Sequence, residues 1–353
     1  DSRRYHLTLL ARNKAGYQNL LRLVSASYLE GFYYKPRMDK DLLRARSEGI
    51  ICLSGCMGSE LGRTLWARDL DKAKVVIKEH QEIFGAENYY LEIMHHPKIE
   101  RQMEIKEATI KLARELNIPL VATQDAHYLE PEDAKAHDTL VAIQTNSQDE
   151  DKRFSNQMED FSFITPEQAA EYFKDTPEAI GNTVKIAERC ELKLELGSWV
   201  FPNYPKVEGS NYEDMLRTDA RAKLKKYLEK YPDKDDEATK RLEHELDVIT
   251  TKGYSPYFLV VADLINHAHS VGIFTNTRGS AAGSFTSFLL GITGVDPLIY
   301  ELPFERFLTK DRPSPPDIDM DFADKRRDEI IDYARKMYGE NHGAQIGTFG
   351  SMM

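Results

Sequence analysis

Cysteine is scarce: the 353 residues hold three, Cys52, Cys56 and Cys190. They form neither a Cys-x-x-Cys pair nor a disulfide framework, which fits a reducing compartment and leads to a cytoplasmic expectation. No apolar run approaches the roughly 20 residues of a membrane-crossing helix, so no membrane partner is expected. No low-complexity tract is present. Positive charge is not in excess either: 58 acidic against 47 basic side chains give a net charge of −11. That argues against a free-standing nucleic-acid binder with a basic face. It leaves open a metal-dependent site, where acids are needed. What remains is an ordinary globular composition, 41% hydrophobic and 30% charged, at a length that predicts about two domains.

The most informative stretch is Pro316-Asp317-Ile318-Asp319-Met320-Asp321-Phe322. Acid and apolar residues alternate with the period of a strand. Ile318, Met320 and Phe322 are expected to face a core, and Asp317, Asp319 and Asp321 to share the other face, roughly 6–7 Å apart in succession. Asp is disfavoured in strands and like charges in a row repel. Divalent metal offsets that cost: Mg²⁺ takes one or two carboxylates and completes its shell with substrate phosphates, and a pair of such ions can clamp a phosphoryl transfer. The plain alternative is a solvated acidic strand.

The chain up to residue 130 alternates strands with helices. Strands are predicted at Tyr5–Leu10, Ile50–Leu53, Tyr89–Ile93 and Ile118–Thr123, and helices at Lys14–Leu29, Leu70–Phe84 and Glu100–Leu116. Such alternation predicts an α/β unit with parallel strands, whose sites gather at the strands' C-terminal ends. His6 falls in the first strand pattern, Cys56 on a Gly-flanked turn, and Asp125 and His127 at the end of the last strand. Each has a bland reading as a packed histidine, a small hydrophobe or a surface polar residue. Together they are a candidate metal site. His95 and His96 look exposed and without a partner. Gly31–Arg37 reads as a loop covering the core.

Beyond a polar stretch at Asn146–Asn156, helices are predicted at Pro166–Phe173, Ala179–Glu191, Asn211–Tyr231, Asp235–Lys252 and Tyr257–Ala268, with Gly197–Pro205 as a boundary. Thr277-Arg278-Gly279-Ser280-Ala281-Ala282-Gly283-Ser284 is a small-residue turn opening a helix at Phe285–Leu290. Free backbone N–H groups there, with Arg278, Ser280 and Ser284 as side-chain donors, make it a candidate phosphate site. Close helix packing explains the same residues. Lys325, Arg326 and Arg327 are candidates either for phosphate neutralisation or for ordinary ion pairing. Ala344–Phe349 reads as a further strand or turn.

Several of these motifs resemble one family. Arg278–Ser284, Phe304-Glu305-Arg306-Phe307-Leu308, Pro316–Phe322 and Gln345–Gly350 resemble the palm of the bacterial replicative polymerase, the DNA polymerase III alpha subunit. Gly31–Arg37, Ser54-Gly55-Cys56 and Asp125-Ala126-His127-Tyr128 resemble its amino-terminal PHP domain. The motifs run in the family's order over essentially the whole chain.

The resemblance implies a PHP-type α/β domain, distorted and barrel-like, over residues 1–200. An α+β nucleotidyltransferase-like palm over residues 201–353 would follow it, in part. It implies template-directed DNA synthesis, with Asp317 and Asp319 holding two Mg²⁺ ions and Arg278, Gly279, Ser280 and Ser284 binding the nucleotide. The PHP ligands it implies are His6, Cys56, Asp125 and His127, holding Zn²⁺ or Mn²⁺; in some members that cluster supports a 3′–5′ exonuclease, and in others it is structural. Implied partners are primer-template DNA, deoxynucleoside triphosphates, the sliding clamp and other replicase subunits. The chain departs from the family at Phe274-Thr275-Asn276-Thr277, where a Gly-Pro-Gly lead is usual. It also lacks the PHP His-x-His and the third palm carboxylate, and so is expected to be an inactive fragment of a longer protein. The rival readings are a PHP-type phosphoesterase with a vestigial acidic strand, and a non-catalytic paralogue.

Overall fold

A computed structural model describes residues 4–145, 159–197, 200–201, 203–205, 209–311, 314–340, 342–344 and 347. The polar stretch at 146–156 and nearly all of the 344–350 motif lie outside the described residues. The chain divides into two compact units, residues 1–196 and 197–353; the expected boundary is at 200/201.

Unit 1 is β1 (Thr8–Ala11), α1 (Lys14–Leu29), α2 (Lys40–Ala45), β2 (Ile50–Leu53), α3 (Glu60–Trp66), α4 (Leu70–Phe84), β3 (Tyr89–Ile93), α5 (Gln102–Leu116), β4 (Leu120–Ala122), α6 (Ala134–Thr145), α7 (Pro166–Tyr172) and α8 (Pro177–Arg189). The sheet order is β1-β2-β3-β4. β2, β3 and β4 are parallel, as their alternation with helices predicts. β1 is antiparallel to β2, with Leu9 opposite Cys52, which corrects the expectation of an all-parallel unit. β1 also starts at Thr8, so His6 precedes the strand. The parallel strands are apolar except for Glu92 in β3, because both faces are covered. Ile50, Cys52, Tyr89 and Leu91 pack with α4 and α5 residues such as Ile77 and Leu112. Ile51, Leu53, Tyr90 and Val121 pack with Ile186 of α8.

Unit 2 is mainly helical: α9 (Tyr212–Lys230), α10 (Asp235–Thr251), α11 (Ser255–Ser270), β5 (Thr275–Arg278), α12 (Phe285–Leu289), β6 (Asp319–Phe322) and α13 (Arg327–Tyr338). Its core joins Leu216 of α9, Leu242 and Leu246 of α10, Phe258 of α11 and Phe285 of α12. Leu242, Leu246 and Ile249, at helical spacing on α10, are buried together with Glu245. β5 and β6 form a two-stranded antiparallel sheet. β5 is not apparent from its own sequence, Thr-Asn-Thr-Arg, which has no apolar face. It is a strand because β6, more than 40 positions later, supplies its ladder.

Candidate active site

The β5–β6 register fixes the site in unit 2. Arg278 lies opposite Asp319, Thr277 opposite Met320, Asn276 opposite Asp321 and Thr275 opposite Phe322. Side chains alternate along a strand, so Asn276, Arg278, Asp319 and Asp321 share one face. Ile318 and Met320 pack against the helical core, and Phe322 against Ile330 and Ile273. Asp317 and Asp319 are exposed on either side of buried Ile318. Asp317 itself lies just before the ladder begins. The Ile318 N–H donates to the Tyr257 hydroxyl at 3.2 Å. Burial pushes the Tyr257 phenol up, and the charges of Asp317 and Asp319 add to the shift. Both carboxylates therefore act electrostatically on the same tyrosine.

After β5 comes a 3₁₀ turn, Gly279–Gly283. Gly279 has φ +81°, in the left-handed region that glycine enters without a steric penalty, and a β-carbon there would stand 3.9 Å from an Asp319 carboxylate oxygen. Arg278, Gly279 and Ser280 are exposed, and of the four predicted nucleotide-binding residues Arg278 and Gly279 border the acidic face.

Ser284 is placed differently. It is 0% exposed and caps α12, where its Oγ accepts the Ser287 N–H and donates to a Glu245 carboxylate oxygen at 2.8 Å. Glu245 of α10, also 0% exposed, accepts the N–H groups of Phe285 and Thr286 at 2.9 and 2.8 Å and the Arg241 Nε–H at 2.7 Å. The helix start predicted to offer free donors to a phosphate is thus occupied by the protein's own carboxylate. The exposed donors that remain are those of the turn before it. Of the basic run, Arg326 is paired with Glu329 at 2.7 Å and bonded to the Val271 carbonyl.

In unit 1 the four predicted ligands stand as two pairs, not as one cluster, near the C-terminal ends of β2 and β4. Cys56 Sγ lies 3.4 Å from His6 Nδ1, and His127 Nε2 lies 3.3 Å from Asp125 Oδ1. Gly55 sets the Cys56 turn: its φ is +82°, and a β-carbon would approach the His6 carbonyl oxygen to 2.8 Å. Burial pushes the Cys56 thiol up, with Asp125 and Glu92 adding to the shift, so at neutral pH it is a thiol, and a metal would have to displace its proton. Among the described residues no group of three or more His, Cys, Asp or Glu side chains is gathered so as to hold a metal ion. The unit 1 donors, taken alone, do not fit a metal cage. The unit 2 carboxylates need not form one, because Mg²⁺ takes only one or two carboxylates beside its substrate oxygens.

Comparison with known proteins matches this arrangement to two family models: the PHP domain over residues 1–96 and the bacterial DNA polymerase III alpha NTPase domain over residues 214–353. Curated relatives named DNA polymerase III subunit alpha include those of Borreliella burgdorferi, 43% identical over 356 residues, and Helicobacter pylori, 41% identical over 377. That of Thermus aquaticus is 37% identical over 414 residues. Each alignment covers 99–100% of this chain and 30–34% of the relative. The chain belongs to the DNA polymerase III alpha-subunit family. It spans about a third of the length of those relatives. Both domain families are metal-dependent in general.

Three residues at or beside the sites were not apparent as site residues from the sequence. Glu245 is one. Glu92 is the second: 8% exposed, it accepts the Gly55 N–H at 2.9 Å and the Thr123 hydroxyl at 2.7 Å, so it ties the Cys56 turn to the strand end that carries Asp125. The available signal was an acid inside the otherwise apolar run Tyr89–Ile93. The third, His96, was read as exposed but is 2% exposed, stacked on Phe161 at 4.8 Å. Among the described residues no group is bonded to either of its ring nitrogens. Its partner-to-be in sequence, His95, stacks on Tyr172 at 4.5 Å.

Glu92 carries a pH prediction. Burial raises its carboxyl above the ordinary 4.5, outweighing the hydrogen bonds that lower it. The folded state therefore favours the protonated acid. The associated stability is present below about 4.5 and is lost as pH rises through the higher folded value. Urea unfolding of unit 1 should show that loss, and Glu92→Gln should flatten it. Gln keeps an acceptor for Gly55 and can donate to Thr123. An unchanged pH slope in the variant would assign the dependence to another group.

Proposed function

We propose that the β5–β6 face serves template-directed DNA synthesis in the full-length protein: nucleotidyl transfer from a deoxynucleoside triphosphate to a primer 3′-hydroxyl. The observation that carries this reading is the register that sets Asp319 opposite Arg278 and beside Gly279. It puts exposed carboxylates and an exposed cationic turn on one face, as a triphosphate with its metals requires. Asp317 and Asp319 would hold two Mg²⁺ ions. When bound, such ions lower the pKa of the attacking hydroxyl and neutralise charge on the leaving pyrophosphate. Arg278 supplies guanidinium donors to phosphate oxygens, and Ser280 its hydroxyl. Ser284 contributes by capping α12, which fixes the far end of the turn. Primer-template DNA and deoxynucleoside triphosphates are the partners this chemistry needs.

The unit 1 donors, a thiol, two imidazoles and a carboxylate, are of the kind Zn²⁺ or Mn²⁺ accepts. Standing as two pairs, they support no derived phosphoester hydrolysis.

Primer extension by the full-length protein, wild type against Gly279→Val, tests the polymerase reading. A side chain at φ +81° strains the turn by about 1–2 kcal/mol beside Asp319. We expect a rise in KM for the nucleotide of about tenfold, with primer binding unchanged. A full-length protein that extends no primer, or a variant indistinguishable from wild type, would remove the reading.

A further inference from the structure

Three aspartates lie along the acidic stretch, and the geometry distinguishes them. Among the described residues Asp317 and Asp319 have no hydrogen-bond or ion-pair partner. Asp321 has a close one: Arg278 donates from Nε to one carboxylate oxygen at 2.6 Å and from Nη2 to the other at 3.0 Å. This is the two-bond fork geometry by which a guanidinium and a carboxylate fix each other's orientation. Asn276 stands directly opposite Asp321 in the ladder and, after Arg278, also lowers that carboxyl. Both oxygens of Asp321 are therefore committed to protein donors. The bond holds Asp321 in its charged form, below the usual carboxylate range, and raises Arg278.

We infer that Asp321 is a positioning residue for the nucleotide rather than a metal ligand: it grips one edge of the Arg278 guanidinium so that the other edge is presented to the triphosphate. The inference rests on the polymerase reading above. Arg has five N–H donors. Two are engaged by Asp321, which leaves three, on Nη1 and Nη2, for phosphate oxygens. Without the grip the side chain, exposed on a surface strand, samples many rotamers, and nucleotide binding must order it. Asp319, opposite Arg278 in the ladder, also acts on the guanidinium through space. Asp321 offsets this pull by holding the guanidinium on its own side, which leaves the Asp319 carboxylate for metal.

The test is primer extension by the full-length polymerase with nucleotide and Mg²⁺ titrated separately, for Asp321→Asn, Arg278→Ala, the double variant and Asp319→Asn. We expect Asp321→Asn to raise KM for the nucleotide about fivefold, with kcat within about twofold and the Mg²⁺ midpoint unmoved. In the Arg278→Ala background the same substitution should add nothing further. A fall in kcat with a shifted Mg²⁺ midpoint, matching Asp319→Asn, would make Asp321 a metal ligand and overturn the inference. So would a full additive effect on top of Arg278→Ala. If Asp319→Asn itself extends primers normally, the polymerase reading fails, and that result is distinct from either outcome at Asp321.

Discussion

On the proposed reading of the β5–β6 face, Asp319→Asn in the full-length protein is expected to remove nucleotide incorporation while leaving the fold intact. Asp319 is exposed, pairs with Arg278 through the backbone ladder and borders the Gly279 turn. Asn matches its size and keeps the ladder, and it relieves like-charge repulsion with Asp317 and Asp321. Unfolding should therefore change by no more than about 0.5 kcal/mol, as for surface substitutions in general. Chemistry should not be spared. A neutral amide offers one weak oxygen where a metal needs a carboxylate, and losing a single element of transition-state charge stabilisation costs about 10²–10³-fold. Single-turnover extension measures the loss, and a thermal melt of the same sample checks the fold. Asp317→Asn should act in the same direction, since it is exposed two residues from Asp319, across buried Ile318. Incorporation within about tenfold of wild type in either variant would refute the assignment.

What the sequence made legible follows from how local each cause is. α4 and α10 carry their apolar stripes at helical spacing, and β2 and β3 are short apolar runs bounded by turns; both patterns are decided within about ten residues. The alternation at 316–322 was equally local, although the ladder covers only Asp319–Phe322. The family resemblance placed the candidate residues, because its motifs are residues in fixed order. Features that depend on a distant partner were not legible. β5 is polar and exists by pairing with β6. The direction of β1 depends on how the chain crosses the sheet, which no periodicity encodes. The phosphate-site reading of the Arg278–Ser284 turn could not anticipate that Glu245, some 40 residues earlier, occupies the helix start. On α10 that glutamate looks like any surface acid four residues after an arginine.

Glu245→Leu is expected to be among the most damaging single substitutions in unit 2. The carboxylate is wholly buried and accepts four hydrogen bonds, from Ser284, Phe285, Thr286 and Arg241. Leu fills the space but accepts none of them. The Phe285 and Thr286 N–H groups and the Ser284 hydroxyl lose their partner away from water, and Arg241 keeps a charge whose counter-ion is gone. Breaking a buried pair in this way costs about 3–5 kcal/mol, against a total stability of only about 5–15 kcal/mol for a typical domain. Glu245→Gln retains one acceptor oxygen and should cost less, about 1–3 kcal/mol. Arg241 also donates to the carbonyls of Gly283 and Leu302, so its guanidinium ties α10 to the end of the Gly279–Gly283 turn. Removing both charges, as Arg241→Met with Glu245→Leu, should therefore recover part of the loss by removing the unpaired cation, but not the part due to the α12 N–H groups. Urea unfolding of the four proteins separates these contributions. If Glu245→Leu unfolds within about 1 kcal/mol of wild type, then water reaches the α12 start, and the helix end would again be open to an external anion.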